Sequence, residues 1–143
     1  IDKNHGNFSI GGEANEISKG VAGAYDGDYK SFRMNGEQSD ALRNLIRFTT
    51  DREIPMVFVN TPLTDEYLDG HRMRAETRFQ QYMLQMSEIH SEFTFRDLGQ
   101  LWPQNYDYFS DPSHLNRYGA YQVSQRISQD PLIPWPQALP DEE

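Results

Sequence analysis

Cysteine is absent from this 143-residue chain, so a disulfide framework and a thiolate metal site are both excluded, and the redox compartment stays open. No apolar run approaches the ~20 residues of a membrane span, and the N-terminus lacks the pattern of a signal peptide. Lys and Arg number 13 against 22 Asp and Glu, which gives a formal net charge of -9. Binding to a phosphate backbone needs clustered Lys and Arg, so we expect no nucleic-acid partner.

The chain has the length of one domain and enough apolar side chains to form a core. Hydrophobic residues make up 36% and aromatic residues 13% of it, which argues for a folded protein. A mean hydropathy of -0.81 indicates a very polar surface, so we expect a soluble globular protein. The chain begins with Ile1 rather than Met, which indicates a processed or truncated piece. Its compartment is unknown, with an extracytoplasmic location (periplasmic or cell-surface) slightly favoured over the cytoplasm.

Three segments of the chain differ in composition. Residues 1–37 hold most of the glycines and only isolated apolar residues, which predicts a long loop or insertion. Residues 38–130 carry regular hydrophobic periodicities. Residues 131–143 form a proline-rich, acidic tail, which we expect to pack through Ile133 and Trp135 and then to fray.

The middle segment alternates between helical and strand patterns. Apolar residues at helical spacing predict an amphipathic helix over residues 39–52. The nearly continuous apolar run at 54–60 predicts a strand buried on both faces, as in a parallel sheet. Thr64 has the character of a helix cap and predicts a helix that continues to about residue 91. Residues 93–98 alternate as a strand, so the order of elements predicts an α/β fold.

A carboxylate and an imidazole, Asp111 and His114, lie three residues apart at the entrance to the last predicted helix. A serine hydroxyl becomes a good nucleophile when a neutral imidazole takes its proton, and that imidazole needs an acceptor on its other nitrogen. Because Asp111 precedes Pro112, we expect it to be extended or in a turn, with His114 in the first turn of the helix. This spacing suits the back half of a catalytic triad. In the alternative interpretation, the aspartate is only an N-cap and the histidine is only solvated.

The sequence Asp-x-x-His-Leu-Asn at residues 111–116 resembles the final block of the SGNH (GDSL-type) hydrolases. Its continuation, Leu-Asn-Arg-Tyr-Gly-Ala, is similar to bacterial SGNH-like proteins that include cell-surface polysaccharide O-acyltransferases. The resemblance covers roughly residues 38–129 and implies the C-terminal half of a flavodoxin-like, three-layer α/β fold, in the order helix-strand-helix-strand-helix. It implies a serine esterase or O-acyltransferase acting on an ester-bearing substrate, such as a carbohydrate ester. His114 would be the general base and Asp111 its orienting carboxylate.

The Gly-Asp-Ser nucleophile block of this family, and its glycine and asparagine blocks, do not occur in the chain. The resemblance places them upstream of residue 1, so we expect the chain alone to be nearly inert as a hydrolase. Ser9 lacks the flanking pattern of a nucleophile and is predicted to be a turn serine. A competing interpretation is a non-catalytic SGNH-like module that binds a glycan or a protein partner. A half-sheet would expose strand edges, so association with a second copy is a further expectation.

Candidate substrate contacts follow the first predicted strand and precede the Asp111 motif. Asn60 and Thr61 leave the carboxyl end of that strand, where open α/β sheets bind their ligands. The preferred alternative for Asn60 is that its side chain satisfies loop backbone. Tyr108 belongs to an aromatic-rich connection, residues 101–108, whose rings either line an acyl or sugar pocket or only cover the sheet edge.

Metal and cofactor signals are weak. His71 and His90 are too far apart on one predicted helix to share a metal ion, and neither has a partner at a persuasive ligand spacing. The stretch Asp26-Gly27-Asp28 lacks the distal glutamate of a calcium loop. We therefore expect no metal and no cofactor.

Overall fold

The computed structural model describes residues 26–136, so the prediction for Ser9, most of the predicted loop and the end of the tail lie outside the described residues. Within this range the chain is a small mixed α/β protein. Its elements are α1 (Asp26–Lys30), α2 (Glu37–Thr50), β1 (Met56–Asn60), α3 (Gly70–Ile89), β2 (Phe93–Asp97), a 3-10 helix (Tyr106–Tyr108), β3 (Phe109–Asp111), β4 (His114–Leu115) and α4 (Arg117–Ser128).

Strands β1 and β2 form a parallel pair connected by α3, with Met56 opposite Phe93 and Asn60 opposite Asp97. Both strands therefore end at the same edge of the sheet, which brings their carboxyl-terminal residues together. The prediction that the first strand is buried on both faces is wrong, since every residue of β1 is only half-buried. Within residues 26–136, β1 pairs with a neighbour along one edge only, and this leaves its side chains partly accessible.

Helices α2 and α3 cover one face of the parallel pair. Ile46 of α2 and Met83 of α3 are completely buried there. Three phenylalanine rings meet beneath them with centroids 5.9 to 6.2 Å apart, in tilted and edge-to-face arrangements that stabilise beyond their area of burial. These rings belong to Phe58, Phe79 and Phe95.

The opposite face is tied to the chain that follows α4. Arg96 alternates with the buried Phe95 along β2, so its side chain points to this second face. Its Nε donates a hydrogen bond of 2.7 Å to Asp130 Oδ2. Ile133 is buried, as predicted for the tail, whereas Trp135 stays half exposed.

Two helix starts differ from their predictions. The helix predicted to begin at Thr64 begins at Gly70, because Asp69 is its cap and accepts hydrogen bonds of 3.0 Å from the N–H groups of His71 and Arg72. The last helix begins at Arg117, capped by the preceding asparagine. The placement of His114 in the first turn of that helix is therefore wrong, because the residue lies in β4.

The loop predicted for residues 1–37 is interrupted by α1, so that prediction is wrong for residues 26–30. Helix α1 packs against the start of α3. The Tyr29 hydroxyl lies 2.7 Å from that of Tyr67, and the Arg72 guanidinium lies 5.0 Å from the Tyr29 ring centroid. These long-range contacts stabilise a helix that is too short to be stable alone.

Candidate active site

Asp111 and His114 face each other across a tight hairpin. Asp111 ends β3 and His114 begins β4, and the two residues are partners in the antiparallel pair. The extended conformation of Asp111 before Pro112 is confirmed. Its Oδ1 accepts hydrogen bonds of 2.9 Å from the backbone N–H groups of Ser113 and His114. The carboxylate thus closes the turn that places the imidazole.

The two side chains are also in direct contact. The Nδ1 atom of His114 lies 2.9 Å from Asp111 Oδ1 and 2.8 Å from Oδ2. The Ser113 hydroxyl lies 3.2 Å from both Asp111 Oδ1 and His114 Nδ1. The imidazole is 76% exposed, and its Nε2 has no hydrogen-bond partner within the described residues. A proton held on Nδ1 by the carboxylate leaves the lone pair of the neutral ring on Nε2.

The electrostatics of the pair keep Asp111 ionised. Partial burial acts to raise the pKa of this carboxyl group, but hydrogen bonds from the Ser113 N–H and the His114 imidazole outweigh burial and hold the pKa below its usual value. An ionised carboxylate can orient the imidazole and stabilise the imidazolium that forms when Nε2 takes a proton.

Asn116 anchors the chain that leaves the pair. Its Oδ1 accepts hydrogen bonds from the N–H groups of Tyr118 at 2.8 Å and Gly119 at 3.1 Å, and so caps α4. Its Nδ2 donates to the carbonyl oxygens of Asp107 at 2.7 Å and Phe109 at 3.2 Å. One side chain therefore joins the last helix to the strand that carries Asp111.

Gly119 permits a close approach between α4 and the segment before β3. A Cβ atom at this position would lie 2.2 Å from the Tyr108 carbonyl oxygen, a distance that real Cβ atoms do not adopt. The Asn-x-x-Gly part of the motif therefore has a packing explanation, which sequence patterns alone did not reveal.

The loop after β1 reaches three later segments of the chain through consecutive backbone N–H groups. Those of Leu63, Thr64 and Asp65 donate to carbonyl oxygens of Gly99 at 2.9 Å, Pro112 at 3.1 Å and Pro103 at 2.8 Å. Thr61, predicted as a substrate contact, is exposed in this loop, and no hydrogen bond within residues 26–136 links it to the Asp111 and His114 pair.

Asn60 contacts carboxylates rather than the loop backbone, so the preferred prediction for its side chain is wrong. Its Nδ2 donates to Glu76 Oε1 and, at 3.0 Å, to Asp97 Oδ1. Burial raises the pKa of Glu76, the hydrogen bond from Asn60 opposes this, and the charge of Asp97 raises it further. A Cβ atom on Gly99 would lie 2.7 to 3.1 Å from all three polar tips, so a larger residue there would require these side chains to shift. The role of Asn60 as a substrate contact stays a prediction.

Tyr108 lies beside the pair but is held by its own segment. Its ring packs edge-on against Trp102 with centroids 4.9 Å apart, and its carbonyl accepts a 2.9 Å hydrogen bond from the Asn116 N–H. The nearby Tyr106 hydroxyl donates to Asp65 Oδ1 at 2.6 Å. The aromatic connection therefore packs on itself and on the loop after β1.

A cavity of about 230 Å³ lies between α1, the loop after β1 and the first turns of α3. It is lined in part by Tyr29, Leu63, Tyr67, Arg72, Glu76 and Phe79.

In residues 26–136, no three His, Asp or Glu side chains are placed to hold a metal ion. The same residues contain no helix with the length and apolar character needed to cross a membrane.

Comparison with family models, curated proteins and solved structures found no match for this chain.

Proposed function

We propose that this chain supplies the histidine and aspartate of an SGNH-like serine esterase or O-acyltransferase. The observation that carries the proposal is the contact of both Asp111 carboxylate oxygens with His114 Nδ1, at 2.9 and 2.8 Å, while Nε2 is unbonded within the described residues. This is the arrangement in which a carboxylate fixes the tautomer of a general base. The substrate is an ester-bearing molecule, such as an acylated carbohydrate.

The proposed reaction has two steps, with the serine supplied by a Gly-Asp-Ser block elsewhere in the complete protein. In the first, His114 Nε2 takes the serine proton as the serine oxygen attacks the ester carbonyl, and it then gives that proton to the departing alcohol. In the second, Nε2 takes a proton from water or from a carbohydrate hydroxyl, whose oxygen attacks the acyl-serine carbonyl. The bond from the acyl carbon to the serine oxygen breaks, and His114 returns the proton to that oxygen, which restores the serine hydroxyl. Asp111 stays ionised throughout and stabilises the imidazolium.

The proposal extends to the fold, as the C-terminal half of a three-layer SGNH domain. It is supported by the parallel pairing of β1 and β2 through α3, and by the position of the Asp111 and His114 pair directly before the last helix. Asn60 and Asp97 end the two parallel strands, at the edge where α/β proteins bind their ligands, and the loop that follows Asn60 bonds through the Thr64 N–H to the turn between Asp111 and His114.

A second candidate is a non-catalytic module that binds a glycan or a protein. The observation that favours it is the hydrogen bonding of Asp111 Oδ1 to the backbone N–H groups of Ser113 and His114. Those bonds give the aspartate a structural role in the turn that would be kept even without catalysis. The Asp-x-x-His spacing alone therefore does not separate the two candidates, whereas reactivity does.

Fluorophosphonate labelling of the complete protein, followed by mass mapping of the modified peptide, tests the proposal. We expect one labelled serine outside the 143 residues and a labelling rate that falls by roughly 100-fold or more in His114→Ala, because the general base is lost. His71→Ala is the matched control, since His71 lies on α3 and contacts Arg74 instead of Asp111. A folded protein that takes no label, or that labels equally well without His114, would support the binding module.

A further inference from the structure

Thr64 is a buried polar residue that contacts the turn between Asp111 and His114. Thr64 is only 1% exposed, and its Oγ1 donates a 2.8 Å hydrogen bond to the Pro112 carbonyl oxygen. The Thr64 N–H donates to the same oxygen at 3.1 Å. The hydroxyl also accepts from the Tyr67 N–H at 3.2 Å, so its donor direction is fixed. This threonine lies 48 residues before its partner.

The Pro112 carbonyl and the Ser113 N–H belong to one planar peptide unit, so fixing the oxygen also fixes the direction of the N–H. That N–H donates to Asp111 Oδ1 at 2.9 Å, and the same oxygen lies 2.9 Å from His114 Nδ1. A continuous chain of bonds therefore runs from the Thr64 hydroxyl, through one rigid peptide and one carboxylate, to the imidazole.

The segment that carries Thr64 is itself held in place by backbone hydrogen bonds. The residues on either side of Thr64, Leu63 and Asp65, donate their N–H groups to Gly99 and Pro103, at 2.9 and 2.8 Å. Pro62 is fully buried and restricts the backbone just before them. Thr64 therefore lies in a segment that directly follows β1, and its bond to Pro112 fixes the position of the turn relative to the sheet.

From this geometry we propose that Thr64 is a positioning residue for His114. Its hydroxyl holds the Pro112 to Ser113 peptide so that Asp111 keeps the proton of the neutral imidazole on Nδ1 and leaves Nε2 as the base. The catalytic meaning of this role rests on the proposed function, whereas its effect on the imidazole does not. A threonine that only stabilised the fold would leave the tautomer of His114 unchanged.

The test is the ratio of the two neutral tautomers of His114, measured from the ¹⁵N chemical shifts of the 143-residue chain at about pH 9, well above the pKa of about 6.5 of histidine in model peptides. We expect the Nδ1–H form to predominate in the wild type. In Thr64→Val its ratio to the Nε2–H form should fall roughly threefold or more, because a buried hydrogen bond is lost at the start of the chain of bonds. Thr64→Ser keeps the hydroxyl and should retain the wild-type ratio.

Thr77→Val is the matched control, because among residues 26–136 the Thr77 hydroxyl bonds within α3 alone, to the Met73 carbonyl. It should leave the tautomer ratio unchanged. If Thr64→Val does not fold, Thr64→Ser is compared with Thr64→Ala, a pair that also differs by the hydroxyl alone. A folded hydroxyl-free variant with the wild-type ratio overturns the proposal, as does a wild type that prefers the Nε2–H form.

The same variants in the complete protein separate this inference from the proposed function. A tautomer ratio that depends on Thr64, in a protein that takes no fluorophosphonate, would support the positioning role and reject the esterase. Labelling that requires His114 but proceeds equally fast in Thr64→Val, with an unchanged tautomer ratio, would support the esterase and reject the positioning role.

Discussion

Asp111 and Glu76 are carboxylates whose surroundings move their pKa values in opposite directions. Burial opposes ionisation of both. For Asp111, hydrogen bonds from Ser113 and His114 outweigh burial and lower the pKa. For Glu76, burial and the charge of Asp97 outweigh the hydrogen bond from Asn60 and raise the pKa. The surroundings of Asp111 thus stabilise the anion that orients His114, whereas the surroundings of Glu76 make its ionisation less favourable.

Glu76→Gln should raise the free energy of unfolding at neutral pH. The raised folded-state pKa means that the folded protein binds the Glu76 proton more tightly than the unfolded chain, so ionisation costs stability above that pKa. Glutamine removes the charge and keeps an oxygen that can accept from Asn60. The gain should be about 1 kcal/mol near pH 7. It should disappear as the pH falls below about 4, where the unfolded glutamate is protonated too.

Urea unfolding at about pH 7 and pH 3 measures this difference. Glu88→Gln is the control, because Glu88 is exposed on the same helix. If the Glu76→Gln variant proves less stable than the wild type near pH 7, the carboxylate is favourable where it lies and the expectation is wrong.

The candidate site was only partly predictable at the level of single residues. Asp111 and His114 could be found because both lie within one short motif. Thr64 could not, since its partner is 48 residues away and its own neighbours predict a helix cap. Asn60 was expected at the correct strand end, but its bond to Glu76 depends on how α3 crosses the sheet, and its bond to Asp97 depends on the register of β1 and β2.

At the scale of elements, the last helix was expected at the Asp111 and His114 motif, but its first residue was not predicted correctly. Apolar spacing reports which face of a helix is buried, whereas the first residue is decided by hydrogen bonds to the cap. Asn116 outcompetes Asp111 for this role because its Oδ1 accepts from two N–H groups of the first turn, while Asp111 closes the preceding turn. His114 is consequently held in a strand, next to its acceptor.

Gly119→Ala should destabilise the protein although alanine is the better helix former. In an unhindered helix this change stabilises by up to about 1 kcal/mol. Here the new Cβ atom would lie 2.2 Å from the Tyr108 carbonyl oxygen, so α4 must shift away from the segment before β3. We expect the free energy of unfolding to fall by about 2–3 kcal/mol.

Gly27→Ala provides the comparison, because a Cβ at this position of α1 meets nothing within 4 Å. In thermal unfolding, Gly119→Ala should lower the Tm, whereas Gly27→Ala should raise the Tm or leave it almost unchanged. Equal behaviour of the two variants would mean that α4 has room to move.

For the whole molecule, the contact between Arg96 and Asp130 joins the chain after α4 to β2. Burial acts to raise the pKa of Asp130, but hydrogen bonds from the Leu132 N–H and the Arg96 guanidinium lower it overall. The Arg96 Nε donates to Asp130 Oδ2 at 2.7 Å, and the Arg96 Nη2 lies 2.6 Å from the same Oδ2 atom. The segment that follows the last helix is thereby fastened to the parallel pair.

Asp130→Asn should weaken this connection and lower the free energy of unfolding by about 1–2 kcal/mol at neutral pH. Because the folded-state pKa of Asp130 is depressed, its contribution is present above the unfolded pKa of about 3.9 and is lost as the pH falls through the folded value. The difference between variant and wild type should therefore shrink in acid. Chemical unfolding from neutral pH down into acid measures this difference in the free energy of unfolding. Asp51→Asn is the control, because Asp51 is exposed. If Asp130→Asn leaves the free energy of unfolding unchanged at neutral pH, solvent replaces the contact.

The α/β class followed from the alternation of helical and strand patterns, and it is correct for the described residues. Apolar content predicted how deeply β1 would be buried, and this was wrong because burial depends on what lies beside a strand. Composition likewise predicted a loop where α1 forms, since the contacts of Tyr29 with Tyr67 and Arg72 come from distant parts of the chain.

The bond between Thr64 and Pro112 joins two segments that are synthesised at different times. A chain made from its N-terminus completes β1, α3 and β2 before Pro112 leaves the ribosome, so the parallel unit can form first. Once that unit has formed, docking of the turn closes only the short segment between the end of β2 at Asp97 and Pro112, and not the whole 48-residue separation from Thr64, so its entropic cost is small. We therefore expect the turn that carries the candidate base His114 to dock after the parallel unit has formed.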